Sequence, residues 1–219
     1  MAVTMKKVEV LLEYLEKQFK GRTLELQYSN SLELLVATLL SAQCTDQRVN
    51  QITPLLFKKY STAQDYAKAD RHILEQEIRS AGFYKTKARN IIGCGQALVE
   101  KYQGRVPDTL EELITLPGVW RKTANVILSN CYGRPAIVVD THVKRVSRRL
   151  GLTLSDHPDV IEQDLAKILP QKLWSEASHH LLLHGRYICK AKRPLCAQCG
   201  LYKICAWMDK SKYPPYRKN

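Results

Sequence analysis

"LPGVWRKTANVIL", residues 116–128, passes from turn chemistry to helix chemistry within a few residues. Pro117-Gly118 reads as a tight turn, because proline pre-sets one φ and glycine tolerates a positive one. A helix follows from about Lys122 to Cys131, with Gly133 just past its end. Upstream, Thr109 and Glu112 have the spacing of a capping box for a short helix that ends near Leu116. Two short helices joined by a glycine-containing turn make a shape common in DNA-binding proteins. The amide groups at the start of the second helix form a ready site for a phosphate. A plain helical hairpin is the simpler alternative, and the turn alone does not decide between the two.

The same helical reading extends along the chain. Val8, Leu11, Leu12, Leu15 and Phe19 recur at helical spacing, and Gly21 closes that segment. Asn30 or Ser31 can cap a second helix carrying Leu34, Leu35, Thr38 and Leu39, and Thr45 or Asp46 a third carrying Val49, Ile52 and Leu56. Pro54 inside the third predicts a kink or an early stop. One helix is expected over Gln64–Arg79, a break at "AGFYKTK" (81–87), and a helix carrying Ala88, Ile91, Ile92 and Leu98. "YQGRVPDT" (102–109) reads as a loop. "AIVV" (136–139) is the one β-branched run, too short for a sheet; it leads to Asp140 and a helix ending at Gly151. Two more helices are expected near Val160–Leu169 and Trp174–Leu183, and the tail "KSKYPPYRKN" (210–219) reads as loose and basic. The expected fold class is all-α.

Composition limits the partners. The 219 residues include 34 Lys and Arg against 21 Asp and Glu, a formal net charge of +13. Such an excess favours a polyanion, since phosphates release counterions to Lys and Arg. No apolar run approaches a membrane span, and residues 1–19 lack the pattern of a signal peptide. The expectation is a cytoplasmic, nucleoid-associated protein without a membrane partner.

Three groups of residues carry chemistry. Lys122 lies in the first turn of its helix, where the dipole favours anions. The dipole, Arg121 beside it and a partly dry cleft would all disfavour the charged amine. A lysine biased towards its neutral form can attack a carbonyl or a sugar C1′ and form a Schiff base. From the turn alone, contact with a phosphate is the simpler role. Asp140 follows an apolar stretch and caps the next helix, worth about 1 kcal/mol; a carboxylate held there can also stabilise an oxocarbenium ion as a base departs.

The third group is Cys189-x6-Cys196-x2-Cys199-x5-Cys205. Structural zinc generally uses two short-spaced pairs, and here only Cys196 and Cys199 form one. The wider flanking gaps favour a [4Fe–4S] cluster over zinc, without excluding zinc. Lys190, Lys192, Arg193 and Lys203 would turn that loop into a phosphate contact. Cys44, Cys94 and Cys131 read as small apolar residues, and His179, His180 and His184 as packing or DNA-contacting residues rather than a second metal site.

"LPGVWRKTANVIL", "VVDTHVKRV" (138–146) and "HGRYICKAKRPLCAQCGLYKIC" (184–205) together resemble the hairpin, catalytic aspartate and iron–sulfur loop of the endonuclease III family of helix–hairpin–helix DNA glycosylases. "LLSAQCTDQRVN" (39–50) and "AGFYKTKARNI" (81–91) are similar to that family too, so the likeness runs from about Leu32 to Cys205. It implies a six-helix barrel over residues 23–134 and a cluster domain of 1–22 with 135–219, with the active site in a cleft between them. It implies a monomer acting on double-stranded DNA with damaged bases or abasic sites. Lys122 matches the lysine that attacks C1′, expels the base and leads to strand nicking by β-elimination. Asp140 matches the aspartate that assists attack and base departure. Asp46 and His142 match polar pocket residues. Gln43 matches a residue that fills the gap left by the flipped base, and Phe83 the apolar wedge, often leucine. The four cysteines match the cluster ligands, and Gly118, Val119, Trp120 and Arg121 belong to the DNA-facing hairpin.

Trp120 departs from that family's pattern, which generally has glycine there. If the position needs a positive φ, tryptophan costs about 1–2 kcal/mol or shifts the turn. The indole then stacks on DNA, reshapes the damage pocket, or was introduced deliberately. Two other functions compete: a mismatch-directed glycosylase without lyase activity, which typically lacks the lysine, and a non-catalytic iron–sulfur DNA-binding protein whose pocket Trp120 has altered.

Overall fold

The computed structural model describes residues 3–214. Helix α1 (Met5–Phe19) starts at Thr4, whose side chain accepts from the Lys7 amide, and buries Val8, Leu11, Leu15 and Phe19 along one stripe. Helix α2 (Ser31–Ser41) is capped by Asn30, and every residue from Leu34 to Leu40 is buried. That identifies it as a core helix, which packs on α3, α6 and α8. Helix α3 (Asp46–Lys59) is capped by Thr45 and runs on through Pro54, so no early stop occurs.

The single helix expected over Gln64–Arg79 is two: α4 (Ala63–Ala67) and α5 (Arg71–Glu77), followed by a 3-10 turn at Arg79–Ala81. Thr62 and Asp65 close a reciprocal capping box on the first, and Asp70 accepts from the Ile73 amide to start the second. Side-chain competition for the backbone thus restarts the helix inside a continuous apolar pattern. The break expected over 81–87 narrows to Gly82 and Phe83, because α6 (Tyr84–Tyr102) begins directly after them. Helices α7 (Leu110–Leu113), α8 (Arg121–Cys131), α9 (Thr141–Leu150), α10 (Pro158–Ile168) and α11 (Trp174–Tyr187) complete the order.

Among the described residues there is no strand, and the fold is all-α. The extended run 136–139 pairs with side chains instead of a sheet. The Ala136 amide donates to Ser175 Oγ at 3.1 Å and the Val138 amide to Ser178 Oγ at 3.3 Å. Backbone donors that a partner strand would have taken are met by two serines of α11.

The chain divides into two compact units, Thr23–Arg134 and the remainder on either side of it. The first contains α2 to α8, seven helices where six were expected, because α4 and α5 are separate. In the second, α1, α9, α10 and α11 share one core that includes Leu11, Leu15, Val143, Val146, Ile161, Leu165 and Leu181. Gly185 lets α11 approach α9 closely: a Cβ there would stand 2.8 Å from the Cβ of His142. Of the tail expected to be loose, residues 215–219 lie outside the described residues, whereas Met208–Lys212 forms a 3-10 turn. Lys210 Nζ in that turn donates to the carbonyls of Tyr202 and Cys205.

Candidate functional site

The hairpin is built in three steps. Thr109 Oγ1 accepts from the Glu112 amide and donates to Glu112 Oε2, starting α7. The Val119 amide then reaches back to the Leu116 carbonyl at 3.0 Å, closing a four-residue turn. With proline second and Gly118 third at φ +78°, this is type II geometry. A Cβ on Gly118 would lie 2.7 Å from Asn90 Nδ2 and 2.9 Å from Asn90 Cβ. Glycine is therefore required twice over, by φ and by the closeness of α6.

Trp120 does not carry the strain considered for it. Its φ is −104° and ψ 167°, ordinary extended backbone that any residue adopts. The left-handed residue of the turn is Gly118 alone. Trp120 stands as the N-cap of α8 but supplies no side-chain hydrogen bond to it, and its indole is 79% exposed. Arg121 and Lys122 follow in the first turn, both exposed. The dry surroundings considered for Lys122 are absent in that respect: its side chain faces solvent.

Asp140 starts α9 differently. Its Oδ1 accepts from the His142 and Val143 amides, each at 2.8 Å, which fixes the carboxylate against the first turn. His142 Nδ1 lies 3.1 Å from an Arg145 amine nitrogen. Arg145 in turn donates to the carbonyls of Gly185 (2.8 Å) and Cys189 (3.0 Å). A single guanidinium so ties the helix that begins at Asp140 to the first cysteine of the cluster-like stretch.

Cys189, Cys196, Cys199 and Cys205 all line one small cavity together with Leu150, His184, Tyr202 and Trp207. All four are free thiols. Among the described residues no three of these sulfurs lie within 4.8 Å of one another. A single tetrahedral zinc with bonds of ~2.3 Å would hold them about 3.8 Å apart. Burial pushes the Cys199 thiol up to about 11, so that thiolate would need the charge of bound metal to form. Arg149, stacked 3.8 Å over the Trp207 ring, points an amine at Cys189 Sγ (3.5 Å) and another at the Ala191 carbonyl. Lys190, Lys192 and Arg193 are exposed on the same loop.

The remaining site residues of the first unit sit at two turns. Gln43 and Phe83 are both exposed and both left-handed, at φ +53° and +47°, although neither is glycine. Asp46 occupies the first turn of α3. One residue near them was not singled out from the sequence. Lys87 is 5% exposed, and its ammonium donates to the carbonyls of Leu40 (2.7 Å) and Ala81 (2.9 Å). The signal was there: Lys87 falls on the stripe of Ile91, Cys94 and Leu98, the apolar face of α6.

Other titratable residues pack rather than react. Cys94 is buried, which raises its thiol to about 12. His184 packs edge-on to Tyr14, and His180 lies against Phe19. Glu16, Glu176 and His180 each bring one ligand atom within 4.8 Å of the others. A hydrogen bond to the Glu16 carboxyl raises Glu176 above the usual carboxylate range. Burial lowers the His180 imidazole, with Glu16 opposing. The unfolded chain therefore takes that proton first as pH drops below about 6.5, and the His180 contribution to stability is lost in acid.

Residues 36–171 match the model of the HhH-GPD superfamily of base excision DNA repair proteins. Endonuclease III of Synechocystis is 48% identical over 94% of this chain and 94% of its own length. That of Bacillus subtilis is 45% identical over 93% of each. The chain belongs to the endonuclease III family. A solved structure of a trapped endonuclease III–DNA covalent intermediate is 45% identical, with TM-score 0.92 over 96% of this chain and 100% of its own. A thermostable thymine-DNA glycosylase, 23% identical with TM-score 0.81, shares the fold. The expected family, all-α fold and base-excision repair activity are thereby shown, and the non-catalytic and mismatch-only readings are not favoured.

Proposed function

We propose that this endonuclease III relative is a bifunctional DNA glycosylase and abasic-site lyase whose chemistry is carried by Lys122 and Asp140. The observation that carries the assignment is the likeness to an endonuclease III trapped covalently on DNA, joined to an exposed lysine amine directly behind a phosphate-ready hairpin. The Lys122 amine attacks C1′ of the damaged nucleoside. The C1′–N bond breaks and the base leaves with the electron pair and a proton. The sugar ring then opens, the C1′–O4′ bond breaking as O4′ takes a proton, and the Schiff base so formed makes the C2′ proton acidic; its loss expels the 3′ phosphate and nicks the strand. Asp140, its oxygen held by two amides, stabilises positive charge developing on the sugar and shuttles the proton. Oxidised pyrimidines are the substrate class.

Around this centre, Gly118, Val119, Trp120 and Arg121 grip the phosphate backbone, as do Lys190, Lys192 and Arg193. Gln43 and Phe83 enter the duplex, and Asp46 and His142 line the pocket. Cys189, Cys196, Cys199 and Cys205 hold a [4Fe–4S] cluster. When bound, the cluster would supply a rigid knot for this loop, which the Arg145 and Arg149 contacts join to α9. The protein works as a monomer on double-stranded DNA in the cytoplasm. No helix among the described residues is long and apolar enough to cross a membrane.

Borohydride trapping on abasic duplex DNA tests the assignment. A covalent adduct is expected with the unsubstituted protein and none with Lys122→Ala. If the unsubstituted protein does not trap, the lyase assignment fails. A brown preparation absorbing near about 400 nm supports the iron–sulfur centre, and a colourless one with stoichiometric zinc refutes it.

A further inference from the structure

Lys87 is a buried charge that neither the hairpin nor the carboxylate explains. It lies on α6, four residues after the Phe83 N-cap, and is 5% exposed. Burying an ammonium costs several kcal/mol unless it is well compensated. Among the described residues no carboxylate forms an ion pair with this one. Its acceptors are two main-chain carbonyls, Leu40 at 2.7 Å and Ala81 at 2.9 Å, and burial lowers its pKa.

Both carbonyls are helix-end groups. Leu40 is the second-last residue of α2, and Ala81 closes the 3-10 turn before α6. Helix C-termini present unsatisfied carbonyls and negative potential, so one cation here caps two ends at once. Each end runs straight into a left-handed, exposed, non-glycine residue: Gln43 three positions after Leu40, and Phe83 two positions after Ala81. Such backbone costs about 1–3 kcal/mol per residue and persists only where surrounding contacts enforce it.

We infer that Lys87 is a positioning residue, which fixes the Gln43 turn and the Phe83 turn relative to each other so that both side chains enter a DNA duplex as one unit. The inference rests on the proposal that Gln43 and Phe83 are the inserted residues. Lys87 touches no substrate; it acts through the two carbonyls. Opening a duplex needs the two turns in register, whereas reaction at an abasic site in single-stranded DNA does not, since nothing has to be unstacked.

The test compares two rates in each variant: base excision from a damaged duplex and borohydride trapping on a single-stranded abasic oligonucleotide. Trapping counts the folded, competent molecules, so the ratio is insensitive to partial unfolding. Lys87→Met is expected to lower the ratio at least about tenfold. Lys87→Gln, shorter but still a donor, is expected to lower it less, and serves if Lys87→Met does not accumulate. Adding Lys87→Met to the Gln43→Ala and Phe83→Ala pair should cost little more, because the clamp then has nothing to position. An unchanged ratio for Lys87→Met, or full additivity with the pair, overturns the inference while leaving Gln43 and Phe83 in place. If Gln43→Ala and Phe83→Ala leave duplex excision unaltered, the insertion roles fail and the clamp falls with them.

Discussion

Helices α8 and α9 start on nearly the same backbone and do opposite things with it. Trp120 before α8 has φ −104° and ψ 167°; Asp140 before α9 has φ −106° and ψ −173°. Asp140 turns its own carboxylate back onto two amides of the first turn. Trp120 sends its indole into solvent, and its side chain caps none of the helix amides. A helix start is an anion site by construction. α9 fills that site with its own chain, which immobilises a reactive group. α8 carries no such internal anion, which suits an end meant to meet a phosphate from outside.

Five substitutions probe the contrast. The largest effect is expected from Asp140→Asn, which keeps a capping oxygen but removes the charge. Activity should drop about a hundredfold or more while the denaturation midpoint barely moves; Asp140→Ala should lose activity and about a further 1 kcal/mol of stability. Full activity in the asparagine variant would mean that α9's start is structural only. Next is Gly118→Ala. A left-handed alanine pressed against Asn90 should cost about 2 kcal/mol in urea unfolding and weaken DNA binding. A neutral result would show that the turn can rebuild itself.

Trp120→Asp would make α8 begin as α9 does. Stability should rise by about 1 kcal/mol from the new cap, with weaker DNA binding, because the anion site is then occupied from within. If affinity in a filter-binding titration is undiminished, phosphate does not sit at that end. The smallest change is Trp120→Gly. With no positive φ to relieve and little area to expose, melting should shift by only a few tenths of a kcal/mol. Any loss of DNA affinity then belongs to the indole itself.

Features governed by neighbours in the chain were readable from the sequence. Asn30, Thr45 and Asp140 cap helices where expected, because an N-cap needs only its own next three amides. Lys122, Asp140 and the four cysteines stand out as candidates by residue type and spacing alone. The split at Lys68–Asp70 did not, since the apolar rhythm runs across it and only the Thr62–Asp65 and Asp70 caps reveal it. Trp120 was read through its relatives' glycine, but that glycine does not signify a positive φ here; the neighbouring Gly118 alone supplies it. Lys87 escaped notice because its partners lie 47 and 6 residues away and are carbonyls, which leave no trace in composition. Arg145 escaped likewise, because its partners Gly185 and Cys189 meet it only after α9 and α11 pack.

The exposed indole of Trp120 has an optical consequence. The chain has three tryptophans, and Trp174 and Trp207 are partly buried, the latter under a guanidinium. Trp120, at 79% exposure, is the one whose emission should be water-relaxed and most open to dissolved quenchers. The protein thus carries an unlabelled fluorophore on its hairpin, one residue from Arg121 and two from Lys122. Shielding of that fluorophore from iodide would time the docking of the hairpin separately from the chemistry that follows.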